Sequence, residues 1–184
     1  MIRYAITNGN AALDEEKWMA GVARCLGRGV DFLQIRERDL GGRRLAEITR
    51  RVLGLANPHG AKILINDRAD VAIACGAHGI HLRDGSVMPE KFARRGFTIT
   101  ASCHSVDGLD RTRGADFVLV APVFSPRSKV DARLPLGIAG LSEFVRQSAI
   151  PVIALGGITT ETAPACIAAG AAGIAGISTF EDAG

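Results

Sequence analysis

Ile150-Pro151-Val152-Ile153-Ala154-Leu155-Gly156-Gly157-Ile158 is an apolar run that ends on a glycine pair, and Gly173-Ile174-Ala175-Gly176-Ile177-Ser178 answers it further along the chain. Neither run alternates apolar with polar residues, which predicts parallel strands buried on both faces. Between them, Thr159-Thr160-Glu161-Thr162 opens a helix whose Ala-rich body covers 163–169 and stops at Gly170. The unit is β-loop-α-turn-β, with peptide N–H groups left accessible at both strand ends. In an α/β barrel, the loops after the last two strands bind phosphate. Glycine lets the backbone approach an anion that a Cβ would hold off. A plain tight turn also accounts for Gly156-Gly157, so the rest of the chain has to decide.

The same punctuation recurs upstream. Gly29-Val30-Asp31, Gly60-Ala61-Lys62, Gly76-Ala77-His78, Gly114-Ala115-Asp116 and Gly170-Ala171-Ala172 each separate a helical pattern from an apolar run. Glycine there ends a helix in the left-handed region before the chain enters a strand, which is the mark of repeated parallel βα units. Strands are predicted at 2–7, 31–36, 62–66, 79–82, 98–103, 117–121, 152–155 and 173–177. Helices are predicted at 14–28, 41–56, 69–75, 89–95, 106–113, 138–147 and 161–169. Eight strands with intervening helices predict a small (β/α)₈ barrel, a TIM barrel, as one domain over 1–184. Only 180–184 follow the last strand, so the eighth helix is expected to be truncated. That strip of barrel wall is one a second copy of the chain could cover, making a homodimer. An open doubly wound sheet is the competing architecture, but no G-x-G-x-x-G follows the first strand.

Composition removes several function classes. The 47% hydrophobic content suits a compact α/β protein, and no apolar run reaches membrane-spanning length. Met1-Ile2-Arg3-Tyr4 enters a strand directly, so a cytoplasmic location is expected. Cys25, Cys75, Cys103 and Cys166 form no C-x-x-C pair and are read as small buried residues. Arg43-Arg44, Arg50-Arg51 and Arg94-Arg95 are read as solvated helix faces. A net charge of +3 with one Trp and one Tyr gives no basic stripe interleaved with aromatics, so no nucleic-acid partner is expected.

Strand alternation sorts the polar residues. With Leu33 and Ile35 toward the helices, Gln34 and Arg36 point inward. Thr100, Ser102 and His104 share one face of the fifth strand. The third strand ends Asn66-Asp67-Arg68, the fourth carries His81 between Ile80 and Leu82, and the sixth runs into Ser125-Pro126-Arg127-Ser128-Lys129. Polar groups inside a barrel cost stability unless they serve a site. Arg36, Arg38 and Lys129 would converge above the barrel and suit a mono- or diphosphate. Simpler roles exist for each residue. Arg36 or Arg38 could pair with Glu37 or Asp39, Asp67 could cap the third helix, and His104 could be structural.

Gln34-Ile35-Arg36-Glu37-Arg38, Ile65-Asn66-Asp67-Arg68, Gly79-Ile80-His81-Leu82, Ser102-Cys103-His104-Ser105, Ala121-Pro122-Val123-Phe124 with Lys129, and 150–158 together resemble the thiamin phosphate synthase and TenI family. The resemblance runs in order over nearly the whole chain. It implies a barrel acting on the thiazole phosphate of thiamin biosynthesis. In the synthase branch, the thiazole nitrogen displaces pyrophosphate from a hydroxymethylpyrimidine diphosphate, with Mg²⁺. Carried over, Gln34, Arg36, Arg38, Asn66, Ser128 and Lys129 would bind substrate, and Asp67 would be a Mg²⁺ ligand. Gly156, Gly157, Ile177 and Ser178 would hold the thiazole phosphate.

The chain departs from the synthases where the second metal ligand belongs. The resemblance places Ser86 of His81-Leu82-Arg83-Asp84-Gly85-Ser86 at that carboxylate's position, and Arg83 adds a positive charge beside it. Arg38 stands for a lysine, and Ser128 keeps one hydroxyl of the expected two. The Asp-Gly-Ser loop looks like the TenI branch, thiazole tautomerases that use no metal and a histidine as acid/base. His104, with Ser102 beside it, would carry that chemistry, since imidazole moves protons near neutral pH. Isomerisation without a cofactor is therefore the first expectation. A Mg²⁺-dependent synthase is the alternative, and a non-catalytic phosphate-binding barrel is the second.

Overall fold

The computed structural model describes residues 1–92, 96–125 and 134–177. Eight parallel strands close a barrel in chain order: β1 (Ile2–Ile6), β2 (Phe32–Ile35), β3 (Lys62–Asn66), β4 (Gly79–Leu82), β5 (Thr98–Cys103), β6 (Phe117–Val120), β7 (Val152–Leu155) and β8 (Gly173–Gly176). Closure comes from β8 pairing with β1 in register Ile2↔Gly173 to Ala5↔Gly176. That contact is close. A Cβ on Gly173 would overlap the carbonyl oxygen of Ile2, so glycine is required where the barrel shuts.

Helices α1 (Glu15–Gly27), α2 (Gly42–Leu53), α3 (Ala69–Cys75), α4 (Gly137–Gln147) and α5 (Ala163–Ala168) pack outside the strands. Asp14 caps α1 by accepting from the Lys17 amide at 3.0 Å. Two expected helices, as far as the described residues reach, are not α-helices. After β4 and after β5 the chain makes 3₁₀ turns, Pro89–Lys91 and Val106–Thr112. Pro89 opens the first. Gly108 lies within the second, where its missing Cβ would crowd Cys103 Sγ, Ser105 Oγ and the Arg111 guanidinium. The tighter turn fits the short spans between strands. Residues 178–184, on which the truncated-helix expectation rests, lie outside the described residues, as do Arg94 and Arg95.

Strand alternation produces two cores. Outward residues such as Leu33, Ile63, Ile80, Val118 and Ala154 pack against the helices, with Leu26, Ile48 and Phe144 opposite them. Inside the barrel, Tyr4, Ile6, Phe32, Leu64, Leu119, Ile153 and Ala175 form a separate cluster. The cysteines are free thiols, three of them buried. Arg44 and Arg51 are more than a solvated face, because both pair with Glu15 of α1 and tie α2 to it. No helix of the described residues is long and apolar enough to cross a membrane.

Glu37, just past β2, fixes the β1–α1 connection. Its carboxylate is buried and accepts from Thr7 Oγ1 at 2.6 Å, Trp18 Nε1 at 2.8 Å, and the amides of Gly9 (3.2 Å) and Ala11 (2.9 Å). The sequence offered Glu37 only as a partner for neighbouring arginines. Burying a carboxylate is tolerable because four donors pair it, three on Oε1 and one on Oε2. Glu37→Leu should strand those donors and destabilise the fold by about 3 kcal/mol. Urea unfolding measures this, and a loss below about 1 kcal/mol would mean that water re-pairs the donors at little cost.

Candidate active site

The C-terminal ends of the strands carry a continuous hydrogen-bonded chain. Asn66 Oδ1 accepts from Gln34 Nε2 at 2.9 Å, and Gln34 Oε1 accepts from the Tyr4 hydroxyl at 3.2 Å. The Tyr4 oxygen also lies 3.0 Å from Thr100 Oγ1. Thr100 Oγ1 is 2.8 Å from His81 Nδ1, and His81 Nε2 is 2.8 Å from Ser102 Oγ. Strands β1 to β5 thus share one polar network, which meets the apolar interior cluster at Tyr4. Among the described residues, no buried side-chain polar atom lacks a partner.

The alternation that sends Gln34, Thr100 and Ser102 inward is therefore correct. Tyr4 and His81 join them as members of the layer that were not singled out for the site. A tyrosine between Ile2 and Ile6 was the available signal, since a buried phenol needs a partner. Burial pushes the Tyr4 hydroxyl up, eased by Thr100, so it stays protonated. Burial also pushes His81 down to about 4; the Asp67 carboxylate opposes the shift, while Arg36 and His104 add to it. His81 is a neutral ring at neutral pH, its two nitrogens divided between Thr100 and Ser102.

Charge gathers at the rim. Arg36, half-buried, anchors its amide on Thr7 Oγ1 at 2.9 Å. Burial draws its guanidinium below the usual range, and Arg38 lowers it further against the pull of Glu37. The group remains a cation. Two neighbouring guanidiniums, one partly desolvated, are relieved by an anion placed between them. Across the mouth, His104 Nδ1 is 2.8 Å from the Ala121 carbonyl. A carbonyl only accepts, so the proton sits on Nδ1 and the neutral ring keeps Nε2 as its basic atom.

Asp67 does not cap α3. The cap residue is Arg68, and its side chain makes no capping bond. Instead, Asp67 Oδ1 accepts from Ser86 Oγ at 2.7 Å, and Oδ2 pairs with Arg83 Nε at 2.6 Å. Asp84 is turned to Arg111 at 3.0 Å. Among the described residues, no three His, Cys, Asp or Glu side chains gather as a metal centre. Mg²⁺ demands an octahedron of oxygens. One carboxylate already saturated by a guanidinium and a hydroxyl does not fit that demand.

At the far side of the mouth, Gly156 and Gly157 adopt φ of 97° and 62°. A Cβ on Gly157 would lie 2.6 Å from the Ser125 carbonyl oxygen and 2.7 Å from that of Phe124. Backbone packing alone thus requires glycine here, which removes the inference from glycine to anion. Ile177 is 40% exposed at the end of β8. Ser128, Lys129 and Ser178 lie outside the described residues. A cleft of about 480 Å³ flanks β1 and α1, but none of the candidate site residues lines it.

An eight-stranded barrel with a polar mouth and guanidiniums at its rim belongs to the class of barrels that handle phosphorylated small molecules. The comparisons narrow this. A family model described as thiamine monophosphate synthase matches residues 3–180. A thiamine-phosphate synthase of Methanoregula boonei is 38% identical over 182 residues, covering 95% of this chain and 83% of its own. One of Methanoculleus marisnigri is 41% identical over 156 residues, covering 82% and 74%. Among solved structures, thiamine phosphate pyrophosphorylase from Pyrococcus furiosus superposes with a TM-score of 0.81 at 28% identity, covering 96% of this chain and 85% of its own. The chain belongs to the thiamine monophosphate synthase family and is an enzyme of thiamine biosynthesis. The names of these relatives weigh toward the transferase and against the isomerisation first expected.

His81 yields a pH prediction. Its pKa is lower folded than unfolded, so below about 6.5 the unfolded chain binds the extra proton and stability falls with pH, levelling near 4. About 3 kcal/mol should disappear across that window. Unfolding midpoints at pH 7 and pH 4.5 should differ much less in His81→Asn than in the parent.

Proposed function

We propose that the protein joins a hydroxymethylpyrimidine diphosphate to a thiazole phosphate as a thiamine-phosphate synthase, within a single barrel domain. The carrying observation is the pair of rim guanidiniums, Arg36 and Arg38, beside the partly buried Gln34–Asn66 hydrogen bond at the ends of β2 and β3. The thiazole nitrogen donates its lone pair to the pyrimidine methylene carbon. The carbon–oxygen bond breaks and its electron pair leaves with pyrophosphate. Charge develops on the leaving oxygens, so fixed cations there lower the barrier. Arg36 and Arg38 neutralise it, while Gln34, Asn66 and Ser102 orient the substrates. By resemblance, Lys129 and Ser128 complete the diphosphate side. Gly156, Gly157, Ile177 and Ser178 hold the thiazole phosphate on the other.

A second reading, thiazole tautomerase, has one specific observation in its favour: Asp67 is occupied by Arg83 and Ser86, while His104 keeps a basic Nε2. His104 would then take a proton from the thiazole carboxylate phosphate and return one at another ring position, with no metal.

Two assays decide. Pyrophosphate release on mixing pyrimidine diphosphate with thiazole phosphate supports the synthase. Arg36→Ala should slow that release by about 10²–10³-fold, the scale for losing one charge-stabilising donor. An ultraviolet change of thiazole carboxylate phosphate without pyrophosphate release would install the tautomerase instead. In that case His104→Ala should cost about 10²–10⁴-fold in rate.

A further inference from the structure

Asp67 holds φ of 58°, in the left-handed region that residues with side chains adopt sparingly. Its amide is fixed on the His81 carbonyl at 2.7 Å, which aims the carboxylate over the end of β4. There Arg83 and Ser86, both on the loop after β4, take one oxygen each. The Asp67 side chain is 18% exposed and that of Arg83 is 69% exposed. The carboxylate is thus covered, while the guanidinium is largely exposed and, among the described residues, is paired through Nε with Asp67. Arg36, Asp67, Arg83 and His104 directly follow β2, β3, β4 and β5, so all four stand at the C-terminal end of the barrel.

We propose that Arg83 takes the place of a divalent cation: Asp67 and Ser86 anchor its guanidinium, which receives the phosphate or diphosphate oxygens of the substrate directly. The inference rests on the reading that this mouth takes phosphorylated substrates. Charge supports it. Two carboxylates around a dication sum to zero, and so does one carboxylate with one guanidinium beside a neutral serine. A hydroxyl in place of the second acid and an arginine in place of the ion therefore leave the local field balanced. Each change alone would not. The guanidinium also presents paired N–H groups that match phosphate oxygens, without the dehydration that Mg²⁺ resists.

Calorimetry with inorganic pyrophosphate tests this directly, in EDTA and again in excess Mg²⁺. The parent protein should bind it in EDTA, and no more tightly in excess Mg²⁺, where the metal complexes the free anion; it should bind no Mn²⁺ by electron paramagnetic resonance. Arg83→Gln should weaken pyrophosphate by about 10–100-fold, the usual range for a hydrogen bond to a charged group. Its melting temperature should stay near the parent's, because Arg83 is largely exposed. Combining R83Q with S86D frees Asp67 and restores a second carboxylate. That variant should take up Mn²⁺ and regain pyrophosphate only with metal present. The proposal is overturned if the parent binds pyrophosphate only with Mg²⁺, or not at all. It is equally overturned if R83Q binds like the parent, or if the double variant takes up no Mn²⁺. Metal-free binding with no pyrophosphate release in the activity assay would remove the synthase reading and leave this one standing.

Discussion

The hydroxyl of Tyr4 sits at the centre of the barrel and its neighbours depend on it. It lies within hydrogen-bonding distance of Gln34 on β2 and Thr100 on β5, strands that are not adjacent in the wall. Its ring belongs to the apolar interior cluster, and its hydroxyl meets the inward polar groups. A small barrel has no room for water at this level, so each inward polar group must find another. Tyr4 makes that possible by bridging the lumen. Thr100 passes the contact to His81, and His81 passes it to Ser102, the first member of the layer to reach the open mouth.

This explains which parts of the structure were legible in the sequence. Period-two alternation over β2 and β5 places Gln34, Thr100 and Ser102 inward, because one residue of slip would move every side chain to the other face. Glycines at the helix ends mark the βα repeats, because only glycine tolerates the left-handed turn there. Gly76, for example, closes α3 with φ of 68°. Strand limits follow within a residue or two for the same reasons. What stayed hidden depends on long-range partners. Glu37 is followed by Arg38 and preceded by Arg36, and nothing local says that it turns toward Trp18 and two loop amides instead. The 3₁₀ turns after β4 and β5 were missed because a short stretch with helical composition does not announce how little length is available to it.

Gly156-Gly157 was legible as a feature with two readings, a tight turn and an anion site, and the structure supplies the packing behind the turn. Gly157 lies against the carbonyls of Phe124 and Ser125 and Gly156 against Pro122, and the Phe124 amide bonds back to the Gly156 carbonyl at 3.0 Å. Such packing is a sufficient reason for the residue type with any ligand or none. Rim charge is the firmer signal for phosphate. Guanidiniums held close together, one of them partly out of water, are a cost to the free protein that an anion removes.

The site is therefore zoned by charge along the barrel axis. At the bottom is an apolar plug, above it a neutral relay through Tyr4, Thr100 and His81, and at the rim the ionised groups Arg36, Arg38, Asp67 and Arg83. Burial keeps His81 uncharged, so no cation competes with the rim for an anion from below. On the function proposed above, a phosphorylated substrate is held by the rim cations, and the paired, buried layer beneath it carries no net charge. That arrangement fixes orientation by the difference between the two zones. It also explains why the rim tolerates a change in how its positive charge is supplied. The relay below senses the field of the rim, and a guanidinium anchored on Asp67 maintains that field as an ion between two carboxylates would.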